Sequence, residues 1–243
     1  MIREGDAICL ADTLELEYLR TVSTDNNHYA FVVGDPGSNL KGVERDLDEI
    51  CNQLNKRGFS QGNIARMYGK GHEKITKQSV LGQLEQLAYL ATVDSYVIFY
   101  FSGHGSSEGL RVGKETISPF EIYEKIANIR GKKAIILDSC HAGIFLTYMN
   151  GMLVPGDTLV LAASSGNGHA YEGLDNRIAG GEYMGKFTAA LVGYLSDNRH
   201  RLNLKELGEH LKKEFEDAPF KVRYQEPQVE GQNYTLLSVH TQF

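Results

Sequence analysis

The sequence predicts an α/β protein built on parallel strands. Three observations carry that prediction. Two apolar runs, residues 96–101 and 134–137, are rich in β-branched and aromatic residues and read as buried strands. A helical stretch, 119–129, lies between them. Strand, helix, strand in that order makes the two strands parallel neighbours whose carboxyl ends lie side by side.

The rest of the chain fits the same scheme. Residues 1–27 form an N-terminal extension with a short helix over 14–21 and a polar linker over 23–27. Residues 29–34 (Tyr-Ala-Phe-Val-Val-Gly) are the first buried strand, and Asp35-Pro36-Gly37-Ser38-Asn39 is turn chemistry. A helix over 42–57 sets Val43, Leu47, Ile50 and Leu54 on one face, and Gly58 is its natural stop. Residues 64–68 are a second strand, followed by a loop in which His72 is solvated. Thr76 caps a helix over 77–91 with Val80, Leu84, Leu87 and Leu90 facing the core. After the 96–101 strand, residues 106–117 form a small hairpin turning at Gly113.

Residues 144–157 join two halves, and 158–164 are the next strand. Residues 173–185 read as a loop, 183–196 and 204–215 as helices, and 234–239 as a last strand.

Composition narrows the function. The chain has 243 residues, 42% of them apolar, and a net charge of −6. That length buries one good core, and the acidic balance argues against a nucleic-acid-binding surface. No apolar run reaches the roughly eighteen residues of a membrane-spanning helix, and the first residues lack a signal-peptide core. Cys9, Cys51 and Cys140 are odd in number and far apart, which fits a reducing cytoplasm without a disulfide framework. No Cys or His spacing matches a zinc site.

The chemistry gathers at the ends of the two central strands. The first run continues into Ser102-Gly103-His104-Gly105 and the second into Asp138-Ser139-Cys140-His141-Ala142-Gly143. His104 and Cys140 therefore fall at the sheet edge where open α/β sheets place their sites. A thiolate is the nucleophile, and an imidazole within reach takes the thiol proton. Gly105 lets the backbone turn after His104. Its N–H, with that of Cys140, makes a donor pair for a developing oxyanion. His141 adjoins the nucleophile and is expected to point away from it.

These two motifs resemble the caspase, metacaspase and paracaspase superfamily, most closely metacaspases and their prokaryotic relatives. The resemblance extends through Asn39-Leu40-Lys41-Gly42-Val43-Glu44-Arg45-Asp46, Ala163-Ser164-Ser165, Ala170-Tyr171-Glu172, Gly185-Lys186-Phe187-Thr188 and Gln225-Glu226-Pro227-Gln228, and so spans about residues 29–240. It implies a caspase-like three-layer sandwich: a six-stranded, mostly parallel sheet with helices on both faces. A large-subunit-like part would span 28–150 and a small-subunit-like part 156–243. It implies a cysteine endopeptidase with Cys140 as nucleophile and His104 as its partner, and no cofactor.

By the same resemblance Asp46, Asp138 and Ser164 line the pocket for P1, the residue before the scissile bond. Two carboxylates there suit Arg or Lys. The plainer alternatives are a helix-end carboxylate for Asp46 and a carboxylate satisfied by local N–H groups for Asp138. Many metacaspases bind calcium with acidic residues in the 106–117 region. Here only Glu108 and Glu115 stand, with Arg111 and Lys114 between them, so calcium-independent activity is expected. The 144–157 linker holds no Lys or Arg, so an uncut chain is expected, with at most one cleavage near Arg177 or in the extension. The expected partners are a protein or peptide substrate and a regulatory protein, with no nucleic acid and no membrane; the chain is expected to be monomeric and cytoplasmic. Prokaryotic members of the family often sit beside defence or cell-death effectors. Three other readings stay open: Asp-P1 specificity, a silent caspase-like binding module, and a thiol hydrolase or transpeptidase acting on a non-peptide amide.

Overall fold

The computed structural model describes residues 27–69, 75–151, 158–175, 181–197, 204–216 and 225–231. The expected extension over 1–27, but for Asn27, lies outside the described residues, as do His72, Arg177 and the strand expected over 234–239.

A six-stranded sheet forms the middle layer. Its strands are β1 (His28–Asp35), β2 (Ile64–Tyr68), β3 (Tyr96–Gly103), β7 (Lys132–Asp138), β8 (Thr158–Ala162) and β11 (Gln228–Glu230). They lie in the order β11-β8-β7-β3-β1-β2, parallel throughout except that β11 runs antiparallel to β8 at one edge. The expected mostly parallel, six-stranded sheet is observed.

Strand alternation explains why the sheet is covered on both sides. Phe31, Val33, Phe99, Phe101, Ile135 and Leu137 face one layer. It is made by α2 (Lys77–Leu90), α3 (Pro119–Asn128) and α4 (Ile144–Gly151), through Val80, Leu84, Leu87, Ile122, Tyr123, Ile126, Phe145 and Leu146. Ala30, Val32, Ile98, Tyr100, Ala134 and Ile136 face the other. There α1 (Val43–Lys56), α5 (Lys186–Asp197) and α6 (Leu204–Glu216) supply Val43, Leu47, Ile50, Leu54, Phe187, Leu191, Leu207 and Leu211. Burying each such side chain fully contributes about 1.5–3 kcal/mol.

Local signals place the helix starts. Thr76 and Ser79 form a reciprocal capping box at α2, and Ser118 with Glu121 forms another at α3 behind Pro119. Two small antiparallel sheets complete the fold. β4 (Gly105–Ser106), β5 (Gly109–Val112) and β6 (Glu115–Ile117) form the hairpin expected after His104, with one extra short strand. β9 (Glu172–Asp175) and β10 (Glu182–Gly185) pair with each other.

That last pair corrects the sequence reading in two ways. The expected loop over 173–185 begins and ends as strand, because Glu172–Asp175 finds a partner in Glu182–Gly185. The helix expected from 183 starts at Lys186, because Tyr183, Met184 and Gly185 are held in that pairing. The linker after 144 also opens with a helix, since Phe145 and Leu146 pack into the core.

Candidate active site

The register of the central strands sets the site. In the β3–β7 pair Ser102 stands opposite Asp138. The next two residues on each chain carry the path to His104 and to Cys140. Sequence order alone therefore brings imidazole and thiol to the same sheet edge. Both line one cleft of about 110 Å³, together with Leu40, Val43, Asp46, Ser102, Asp138, Ser139, Tyr171, Glu172 and Gly185.

Cys140 sits at a sharp bend. Its successor His141 has φ 57, a left-handed backbone that costs a non-glycine residue about 1–3 kcal/mol. Four bonds hold that bend. The His141 N–H donates to the Gly168 carbonyl at 2.9 Å, and the His141 Nδ1–H donates to the Gly166 carbonyl at 2.9 Å. The Ser164 hydroxyl accepts from the Ala142 N–H at 3.3 Å and donates to the Ser139 carbonyl at 3.2 Å. His141 thus points away from the thiol, as expected. Ser164 does not line the cleft; its buried hydroxyl braces the turn behind Cys140 instead.

The thiol of Cys140 lies against the Ala170 backbone. It donates to the Ala170 carbonyl at 3.6 Å and accepts the Ala170 N–H at 3.4 Å. Among the described residues no hydrogen bond joins Cys140 to His104. Gly105 packs on the Cys140 backbone so closely that an added Cβ would strike the Cys140 carbonyl oxygen and come within 2.9 Å of the Ser139 hydroxyl. Only glycine fits there. The Ser139 hydroxyl is itself buried, with no hydrogen-bond partner among the described residues.

His104 is oriented by a residue of the turn after β1. Its Nε2–H donates to Asn39 Oδ1 at 2.9 Å. That bond fixes the neutral tautomer and leaves Nδ1 as the nitrogen able to accept a proton. Asn39 belongs to the turn after β1, and Asp35 anchors that turn by accepting the Gly37 N–H at 2.9 Å and the Gly113 N–H at 2.6 Å.

Asp46 and Asp138 meet at the floor of the cleft. Asp46, 2% exposed, accepts the Ser102 hydroxyl at 2.7 Å and the Gly185 N–H at 2.8 Å. Asp138, 6% exposed, accepts both the N–H and the hydroxyl of Thr188, at 3.0 and 2.6 Å. Tyr100 closes the network from below, its hydroxyl 2.6 Å from that of Thr188. Gly185 separates the two carboxylates: a Cβ there would strike Asp138 Oδ2 and lie 3.0 Å from Asp46 Oδ2.

Among the described residues no Lys or Arg pairs with either carboxylate. Burial, and then the neighbouring Asp138 charge, push Asp46 well above the usual carboxylate range. Burial likewise raises Asp138, to about 6, against the hydrogen bonds from Thr188.

A third carboxylate joins them. Glu172 lines the same cleft and its negative charge raises both aspartates further. It accepts the N–H groups of Lys41 and Gly42 at 2.8 Å each. Gly42 is the N-cap of α1 and makes no side-chain cap of its own. Glu172 thus caps from afar the helix that carries Asp46, at the end where the helix dipole favours an anion. Glu172 belongs to a stretch that resembles the family, but its role as a cap is not legible there, because the N–H groups it accepts lie far away in the sequence. Ser102 was visible beside His104, but its place in the pocket depends on the β3–β7 register.

No three His, Cys, Asp or Glu side chains among the described residues are grouped so as to hold a metal ion. No helix among them is long and apolar enough to cross a membrane.

Two parallel strands that end in a histidine turn and a cysteine bend, inside a covered six-stranded sheet, define the caspase-like class of α/β proteins. The chain belongs to the caspase-domain family, whose model matches residues 24–237. Solved structures share the fold. The crystal structure of caspase-1 from Spodoptera frugiperda superposes with a TM-score of 0.64 at 13% identity, over 90% of this chain and 92% of that one. That of protein GSU0716 from Geobacter sulfurreducens gives 0.61 at 13% identity, over 88% and 97%. No curated protein matches the chain. Family membership points to cysteine peptidase activity.

Proposed function

We propose that this protein is a cysteine endopeptidase that cleaves polypeptides after Arg or Lys. The observation that supports it best is the pair of buried carboxylates, Asp46 and Asp138, in the cleft that also holds Cys140 and His104. Two buried carboxylates without a cation are costly, and a guanidinium or ammonium from the substrate supplies what they lack. An Asp side chain at P1 would meet like charge, so the acidic cleft disfavours Asp-P1 specificity.

In this reading the Cys140 thiolate attacks the scissile carbonyl carbon, and the C–N bond breaks as the tetrahedral intermediate collapses to a thioester. His104, held by Asn39, takes the thiol proton and gives it to the leaving amine. Water then hydrolyses the thioester. The backbone N–H groups of Gly105 and Cys140 hold the oxyanion; a donor of that kind is worth about 3 kcal/mol. Ser102 and Gly185 fix Asp46, and Thr188 fixes Asp138. The enzyme works without calcium, since the 106–117 hairpin keeps only Glu108 and Glu115. A regulated role in a prokaryotic defence or cell-death pathway fits the resemblance to metacaspase relatives.

The test is cleavage of fluorogenic peptides carrying Arg, Lys or Asp at P1, by wild type and Cys140→Ala, with calcium and with chelator. Arg and Lys turnover that chelator leaves intact and Cys140→Ala abolishes is expected. Asp turnover would overturn the P1 assignment while keeping the dyad.

One observation favours a second reading, a silent binding module: the Cys140 thiol is engaged by the Ala170 backbone and not by His104. Labelling by a peptidyl chloromethyl ketone separates the two, because a silent scaffold does not react.

A further inference from the structure

His104 lines a second cleft on its other side. This one is larger, about 380 Å³, and is formed by Asp35, Gly37, Ser38, Gly105, Ser106, Arg111 and Gly113 along with His104. Its walls are the turn after β1 and the β4–β5 hairpin. His104 belongs to both clefts; the acidic floor of the first contributes nothing to the second.

The charges in this second cleft are unequal in availability. Asp35 is committed, with one carboxylate oxygen taking the Gly37 N–H and the other the Gly113 N–H. Arg111 is exposed, and its guanidinium has no hydrogen bond or ion pair among the described residues. Its backbone, by contrast, is fixed. Leu110 and Val112 on either side are buried, Arg111 pairs with Thr116 across the hairpin, and its N–H donates to the His104 carbonyl at 2.9 Å. A free cation is thus presented from a rigid strand beside the residue that protonates the leaving amine.

The direction of the substrate follows from the chemistry. With a basic P1 side chain in the acidic cleft and the acyl carbon on Cys140, the departing amine must lie at His104. The chain beyond the scissile bond then leaves past His104, into the cleft that Arg111 borders. We propose that this cleft is the leaving-side subsite. In it Arg111 selects substrates with Asp or Glu at one of the two positions after the cut. The preferred substrate is then a charge-paired site, basic before the bond and acidic after it. The inference rests on the peptidase reading but concerns a different cleft and a different residue.

The test is a binding measurement with the full chain carrying Cys140→Ala, so that peptides stay intact. Fluorescein-labelled peptides with Arg at P1 carry Glu, Ala or Lys at each of the next two positions. Glu is expected to bind about fivefold to tenfold tighter than Lys at one of them, the scale of an exposed ion pair gained against a like-charge contact. Arg111→Glu is expected to reverse that order, which a merely damaged fold would not do, and added salt to shrink it. Equal binding of the Glu and Lys peptides, an order that Arg111→Glu leaves unchanged, or no peptide binding at all overturns the proposal. A separate arm replaces Arg at P1 with Ala. If binding is indifferent to P1 yet still follows Arg111, the basic-P1 reading fails and the leaving-side subsite stands.

Discussion

The two clefts that meet at His104 differ first in how far their charges are from water. On one side Asp46 and Asp138 are nearly inaccessible, each held by two hydrogen bonds, and both are pushed up by burial. On the other, Arg111 stands exposed on a short strand with its charge unpaired among the described residues. Charges of the first kind are expensive to keep and valuable once paired; those of the second kind cost little and contribute little. In the function we propose, deep charge therefore decides which residue is accepted before the bond, and exposed charge adjusts what is preferred after it.

The largest effect that sharpens this contrast comes from Asp138→Asn. It removes one of the two buried charges while keeping an oxygen to accept from Thr188. Hydrolysis of Arg and Lys substrates is expected to fall by about 10²–10³ in kcat/KM, the cost of breaking a buried charge pair. The unliganded variant is expected to be more stable than wild type. The sign follows from linkage. A carboxylate whose folded pKa is raised contributes stability at low pH and loses it as pH rises. For Asp138 the loss runs from about pH 4, where the unfolded group titrates, to about 6. The variant's advantage should thus be small below pH 4, grow to about 1–3 kcal/mol by pH 6–7, and stay constant above that. Urea midpoints at pH 4 and pH 7.5 would check it. Equal stability at both would mean that Asp138 bears no burial penalty, and the contrast between the clefts would collapse.

The sequence carried the backbone of this picture because its signals are local. Runs such as 96–101 and 134–137 announce strands, and their order forces His104 and Cys140 to one edge. Thr76 could be read as a cap because its partner Ser79 stands three residues away. What escaped depended on distance. Glu172 caps a helix more than a hundred residues earlier in the chain, Asn39 reaches His104 from the first turn, and Ser164 serves the bend behind Cys140. The β9–β10 pair was hidden for a related reason: its strands are short, glycine-bearing and partly exposed, so no alternation marks them.

An effect of middle size falls on the wall between the clefts. Asn39 holds His104 from the same turn that forms one side of the Arg111 cleft. Asn39→Ala frees the imidazole to rotate and removes the bond that selects its tautomer. The expected result is a fall of about tenfold in kcat with KM little changed, since a misplaced proton donor acts on the transition state more than on binding. Asn39→Asp, which keeps the accepting oxygen, should retain most of the rate. A parallel rise in KM would mean that Asn39 serves the clefts and not the imidazole.

The smallest effect tests whether Glu172 belongs with the buried pair or with the exposed Arg111. Its carboxylate is partly accessible, caps α1, and reaches both aspartates only through its field. Glu172→Gln keeps an oxygen for the Lys41 and Gly42 N–H groups and removes the charge. Loss of an anion from a helix start costs about 0.3–1 kcal/mol. On substrate the same change should weaken Arg and Lys binding by about twofold to fivefold, as for other partly exposed pairs. Salt discriminates between the two groupings. If Glu172 acts as exposed charge, the difference between wild type and variant shrinks as ionic strength rises; the Asp138→Asn deficit should persist. A Glu172→Gln deficit as large and as salt-insensitive as that of Asp138→Asn would place all three carboxylates in one desolvated site, with recognition before the bond shared among three charges.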